Sequence, residues 1–332
     1  MTRPELGIGL RGDRDFREYG PLGRLAGDVG FDVVTVFGDL GFQPPFPVLH
    51  AIAAVTERVR LGPSCVNPYT MHPAEIAAHV AALEGASAGR AFCGLARGAW
   101  LESVGVAQPR PLQALHEAAE IVRMLVRGDR GGFRGELFSV DPGFRLDQAA
   151  SEREVPLLIG AWGERAMGLA GAIADELKVG GCANPAVVPL ALERLARGSS
   201  QAGRAAGACA LVLGAVTVVD EDGRAARERA RSAVAMYFEV VAALDPTLEV
   251  APALLERVRA RLRAGDDRGA GAEIPDHLLD RFAFAGTPRE VAAQVREIFD
   301  AGARRVEFGV PLGLDTERGL RLLGERVLPE FR

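Results

Sequence analysis

Apolar positions fall into short, near-continuous runs that alternate with longer stretches of helical period. LGIGL (6–10) reads as a buried strand, and residues 16–30 as an amphipathic helix stopped by Gly30. FDVVTVF (31–37), VRLGPSCV (59–66) and RAFCGL (90–95) repeat the strand theme, with helices predicted over 46–58, 73–86 and 111–128. GGFRGELFSVDPGFRL, within 131–154, breaks this rhythm. Its Gly and Pro spacing predicts a hairpin-like excursion.

The alternation resumes with VPLLIG (155–160), DELKVGG (175–181), ACALVLGAVTVV (208–219) and ARRVEFGV (303–310), with helices over 164–171, 186–200 and 316–327. Residues 222–264 read as one long Ala/Arg-rich helical region and 265–273 as a Gly/Asp-rich loop. Thr287-Pro288-Arg289-Glu290 gives an N-cap, a proline at the first helical position and a glutamate three residues after the cap.

Eight apolar strands, each followed by a helix, argue for an α/β fold whose parallel sheet closes as a (β/α)8 TIM barrel. A doubly wound open sheet is the alternative. It would usually need fewer strands, and the first βα turn, RGDRDFREYG, lacks the G-x-G-x-x-G that cradles a dinucleotide. We expect one domain over residues 1–332, with insertions at 129–154 and 222–285.

Composition narrows the function. Lys178 is the only lysine among 39 Lys and Arg residues, which are interleaved with 44 acids at a net charge of −5. That balance argues against a nucleic-acid partner, which would call for concentrated positive charge. Cys65, Cys93, Cys182 and Cys209 are scattered without metal-ligand spacing, so buried thiols are expected rather than disulfides or a metal site. The N-terminal apolar patch of five residues is too short for a signal-peptide core or a membrane span, and a cytoplasmic protein is expected.

In a barrel, chemistry belongs at the C-terminal ends of strands. The third strand leaves through Gly62-Pro63-Ser64-Cys65-Val66-Asn67-Pro68-Tyr69-Thr70-Met71-His72-Pro73, whose prolines and small residues suggest a bulged backbone near a ligand; an ordinary loop with His72 capping the next helix is the alternative. At the fourth exit, Ala96-Arg97-Gly98 can present a guanidinium to phosphate, or a merely solvated arginine. At the fifth, Gly160-Ala161-Trp162-Gly163-Glu164-Arg165 opens a helix whose free N–H groups suit an anion, unless the small residues serve packing and Trp162 is a packed aromatic. Asp39, after Gly38 at the second exit, is an acid/base candidate or a local backbone cap. No G-x-S-x-G, P-loop or HExxH is present.

GPSCVNPYTMHPAEIAAHVAALEGASAGRAFCGLARG, LLIGAWGERAMGLAGAIAD and FAGTPREVAAQVREIFDAGARRVEF together resemble the bacterial-luciferase-like family of flavin and deazaflavin enzymes. NPYT-x-HP is similar to its methylenetetrahydromethanopterin reductase branch, which uses the deazaflavin coenzyme F420 rather than FMN. The resemblance implies a flavin-type ring over a bulge in strand three with a cis peptide at Ser64–Cys65. It further implies cofactor contacts from Gly38, Asp39, Ser64, Cys65, Asn67, Ala96, Arg97, Gly98, Gly160, Ala161, Trp162, Gly163, Glu164 and Arg165. The match also departs from the family: a His after strand two gives way to Asp39 or Leu40, and expected acids fall on Gly9 and Ala99, with Glu102 close by. Alcohol oxidation needs a base on the hydroxyl, so these losses turn the expectation to hydride delivery onto a C=C or C=N bond, protonated from Asp39, Tyr69, Glu102 or water. A bulky natural-product or dehydroamino-acid peptide substrate and a homodimer are expected. An FMN-dependent monooxygenase is the alternative reading, and a non-catalytic cofactor-binding protein a third.

Overall fold

In a computed structural model that describes residues 3–148 and 150–332, the chain alternates strand and helix as the apolar periods predict. The elements run β1 (Glu5–Leu10), α1 (Tyr19–Val29), β2 (Val33–Val36), α2 (Pro45–Ala53), β3 (Arg60–Pro63), α3 (Pro73–Ala86), β4 (Cys93–Ala96), α4 (Pro111–Val126), β5 (Phe133–Arg134) and β6 (Ser139–Val140). They continue with β7 (Leu157–Gly160), α5 (Glu164–Ile173), β8 (Glu176–Gly180), α6 (Val187–Gln201), β9 (Ala210–Val219), α7 (Gly223–Ala235), α8 (Phe238–Leu244) and α9 (Pro252–Arg263). Last come α10 (Asp267–Ala272), α11 (Asp276–Phe282), β10 (Ala283–Gly286), α12 (Pro288–Asp300), β11 (Arg305–Gly313) and α13 (Thr316–Leu322).

Eight parallel strands pair in the order β3-β2-β1-β11-β9-β8-β7-β4. Parallel bridges Leu61–Ala91 and Val66–Leu95 bring the ends of that order together, giving a nearly closed barrel made of the eight strands read from the sequence. Local chemistry explains the element ends. Gly30 stops α1 at φ 98°, where a side chain would be strained, and Thr287 and Glu290 form a reciprocal capping box on α12. The excursion after α4 is the antiparallel pair β5–β6, as its turn residues predict.

Three expectations need correction. Residues 222–264 are not one helical run but α7, α8 and α9: Asp245 precedes Pro246, which disfavours helical backbone before it, and Pro252 restarts the helix at its first turn. Buried Asp245 fixes that break by accepting from Asn184 Nδ2 at 2.9 Å. Residues 265–273 are not simply a loop, because Asp266 caps α10 by accepting from the Gly269 N–H at 2.8 Å. The last helix is α13 only to Leu322, and a π-helical turn follows over Leu323–Val327. A ninth strand also went unread. Ala-rich β10 pairs with Val216–Val219, the outer half of the long strand β9, beyond the end of β8.

Side chains on the outer faces of the strands pack against the helices, while the inner faces line the barrel. Charge fills the barrel floor: Glu176 Oε1 accepts from Arg305 Nη1 at 2.8 Å and from Arg60 Nη2 at 3.0 Å, and Glu5 Oε2 from Arg60 Nη1 at 3.2 Å. Above it, Val33, Phe92 and Leu158 form a small separate apolar cluster with Cys65 against it. The Phe92 ring lies 5.5 Å from the Arg60 guanidinium and 5.9 Å from that of Arg305, sealing the N-terminal end. Access is left to the C-terminal mouth.

Candidate active site

The mouth is organised by how β3 ends. Pro63 pairs with Val36 and the Ser64 N–H donates to the Val36 carbonyl at 2.8 Å, after which the chain leaves β2. Two residues later Val66 has joined β4, donating to the Gly94 carbonyl at 3.0 Å and accepting from Ala96 N–H at 2.9 Å. Ser64–Cys65 is therefore an outpouching of the barrel wall, and its peptide bond is cis, where the resemblance placed it. Glycines surround it. A Cβ on Gly38 would lie 2.4 Å from the Cys65 carbonyl oxygen, one on Gly94 2.0 Å from that of Pro63, and one on Gly160 2.8 Å from Cys65 Sγ. Burial pushes the Cys65 thiol up to about 12, so it is no nucleophile near neutrality.

Beneath the outpouching lies a group that strand-exit reasoning missed. Lys178, on the inner face of β8, donates to Ser64 Oγ at 2.6 Å and pairs with Glu307 Oε1 on β11. Thr35 Oγ1 on β2 donates to the same carboxylate oxygen at 2.8 Å, while Glu307 Oε2 is buried without a partner. Space for the pair comes from missing side chains. β9 separates β8 from β11, and a Cβ on its Gly214 would stand 2.8 Å from Lys178 Cε; one on Gly9 of β1 would stand 2.9 Å from Glu307 Oε1. Phe37 covers the ammonium at 5.3 Å from its ring centroid. The signal was present in the sequence as charges at inward parity within apolar strands.

The other expected residues divide. Asp39 is half-buried past Phe37 and Gly38; burial raises its carboxyl above the usual range, with the Lys178 charge opposing. Asn67 spends Oδ1 on its own turn, accepting from Tyr69 N at 3.0 Å and Thr70 N at 2.9 Å. The Tyr69 hydroxyl donates to the Pro109 carbonyl at 2.8 Å, and Glu102 is exposed on the 3-10 turn Leu101–Val104. His72 caps α3 through Nδ1, which accepts from Ala74 N at 3.2 Å, so the capping alternative holds there.

Arg97 follows the end of β4 with its side chain exposed, its carbonyl accepting from Gln108 Nε2 at 2.5 Å. A Cβ on the next residue, Gly98, would stand 3.1 Å from Asn67, so the exits of β3 and β4 pack closely. At the β7 exit, Ala161 N–H donates to the Lys178 carbonyl at 3.0 Å and Trp162 Nε1 to that of Gly180 at 2.9 Å, tying this loop to β8. Gly163 begins α5 at φ 83° with no side chain capping the helix, and a Cβ there, or on Gly180, meets nothing within 4 Å. Glu164 faces α6, bound to Arg197 at 2.5 Å, while Arg165 is exposed. Open space at Gly163 and Gly180, an uncapped helix start and two exposed arginines fit a long anionic cofactor.

The comparisons with known proteins agree with this geometry. A profile described as luciferase-like monooxygenase matches residues 1–305. The chain belongs to that family. It is an oxidoreductase of the luciferase-like class. A 5,10-methylenetetrahydromethanopterin reductase of Archaeoglobus fulgidus is 29% identical over 99% of this chain and 100% of its own. An F420-dependent glucose-6-phosphate dehydrogenase of Nakamurella multipartita is 30% identical over 100% of this chain and 98% of its own. In fold, the structure of the coenzyme F420-dependent tetrahydromethanopterin reductase of Methanopyrus kandleri superposes with a TM-score of 0.89 at 24% identity, covering 100% of both chains. Among the described residues, no cluster of three His, Cys, Asp or Glu is placed to hold a metal ion, and no helix is long and apolar enough to cross a membrane.

Proposed function

We propose that this protein uses reduced coenzyme F420 to reduce a C=C or C=N bond of a small organic or peptide acceptor. The observation that carries the reading is the glycine-walled outpouching at Ser64–Cys65, opening beside the uncapped start of α5. When bound, the coenzyme supplies a hydride. The chain's part is to hold it: Gly38, Ser64, Cys65 and Gly160 shape the seat, while Arg97, Arg165 and the N–H groups after Gly163 hold its phosphate and acidic tail. Asn67, Ala96, Gly98, Ala161, Trp162 and Glu164 fix the loops that carry those contacts. Asp39 hydrogen-bonds the acceptor and polarises it, its carboxyl raised above the usual range by burial. Tyr69 and Glu102 stand at the rim and wall the acceptor.

Equilibrium binding of F420 and FMN to the apo-protein tests the reading. Preferential F420 binding is expected; preferential FMN binding with oxygen consumption would replace it with the monooxygenase reading. The proposal includes one domain over 1–332 carrying both insertions, a homodimer and a cytoplasmic address. Limited proteolysis, light scattering and fractionation check these in turn.

A further inference from the structure

We propose that Ser64, Lys178 and Glu307 form a proton relay that delivers the acceptor's second hydrogen, an inference that rests on the hydride-transfer reading above. Donor and acceptor chemistry sets its direction. An ammonium can only donate, so Ser64 Oγ, 2.6 Å from Lys178 Nζ, is the acceptor of that bond. The Ser64 hydroxyl proton is thereby turned away from the lysine, at the outpouching where β3 leaves the barrel wall. Behind the lysine, Glu307 Oε1 pairs with the ammonium and stabilises its charge, while Oε2 is buried without a partner.

The chemistry balances. Hydride adds to one atom of the double bond, and its π electrons pass to the other atom. Ser64 O–H gives its proton to that atom while Lys178 N–H gives one to Ser64 Oγ, leaving a neutral amine that regains a proton from water after product leaves. Two electrons leave the reduced coenzyme and both enter the acceptor. Residue type supports the role, because every other side-chain cation of the chain is an arginine, which cannot release a proton. An arginine here would preserve charge and lose the relay. Lys178 acts through Ser64 rather than touching the acceptor, and Gly214 and Gly9 keep its path clear.

A sole lysine makes the test direct. Protein labelled with [13C,15N]lysine shows one side-chain amine, and its Cε and Nζ shifts are followed as oxidised F420 is added. The Lys178 signal is expected to move in wild type and to stay nearly still in Ser64→Ala while that variant binds the coenzyme within a few-fold of wild type. In acceptor reduction, Ser64→Ala and Lys178→Arg should each lose about 100-fold in kcat with little change in KM, the scale of a positioned proton donor, and Ser64→Thr should recover most of it. Full activity in Lys178→Arg, or a lysine signal blind to bound coenzyme, would each overturn the relay and leave the coenzyme assignment standing. Failure of wild type to bind F420 would overturn that assignment, and the relay with it. Should Lys178→Arg misfold, the neutral pair Lys178→Met with Glu307→Met removes the relay and must show the same kcat loss.

Discussion

Two buried ionic clusters share one barrel, and only one residue separates them along each of two strands: Glu176 and Lys178 on β8, Arg305 and Glu307 on β11. The lower cluster is built on arginine. Arg305, fully buried, and Arg60 grip Glu176; burial alone would raise that carboxyl, but the two guanidinia hold it below its usual range. The upper cluster is built on lysine and ends at a hydroxyl facing the mouth. Guanidinium keeps its proton at any accessible pH, so the floor is a fixed-charge plug; ammonium can give one up. Charge in a barrel interior is thus not one device: the side chain that carries it decides whether it closes the structure or serves the site.

The widest gap between the clusters should open on removing their cations. Arg305→Met leaves buried Glu176 with Arg60 as its remaining arginine partner and should cost about 3–5 kcal/mol in urea unfolding, with F420 affinity unchanged in the molecules that remain folded. Lys178→Met should destabilise on a similar scale, yet adding Glu307→Met should recover most of the stability while activity stays lost, since apolar replacement of a whole buried pair is often neutral. If the double variant regains activity, the upper cluster is structural like the lower.

Smaller effects follow. Gly214→Ala should cost about 1–3 kcal/mol by crowding Lys178, and it should lower acceptor reduction where an alanine at a surface glycine such as Gly85 does not. In acid the floor should respond. Because the folded Glu176 value lies below the unfolded one, its stabilisation is present above the ordinary glutamate value of about 4.3 and is lost as pH falls through the folded value. Urea midpoints of wild type and Glu176→Gln should therefore differ at neutral pH and converge in acid. Asp39 has the opposite sign: its raised carboxyl weakens the fold as pH rises past the ordinary aspartate value of about 3.9, and the penalty is complete above the raised value. Asp39→Asn should leave stability equal or slightly higher at neutral pH, and a clear loss would mean the carboxylate is held by a partner.

Much of this was legible in the chain. Strand period gave all eight barrel strands, and small residues at the exits of β3, β4 and β7 marked the mouth. Two kinds of information were not local. β10 is four residues, Ala-Phe-Ala-Gly, strand-like only because β9 runs long enough to pair with it. The upper cluster joins Thr35, Lys178 and Glu307, with Thr35 and Glu307 272 residues apart, and only barrel closure brings them together. Pro246 and Pro252, by contrast, were readable breaks in the helical stretch that its Ala/Arg composition concealed.

The lone lysine also gives the barrel a reporter that needs no cofactor and no substrate. A protease that cuts only after lysine has a single site in this chain, and that site lies on the inner wall of β8, closed by the floor plug on one side and by Phe37 on the other. The folded protein should resist it, and each molecule whose barrel opens should yield two fragments divided after Lys178. The rate of that one cleavage would measure how often the barrel opens in native buffer.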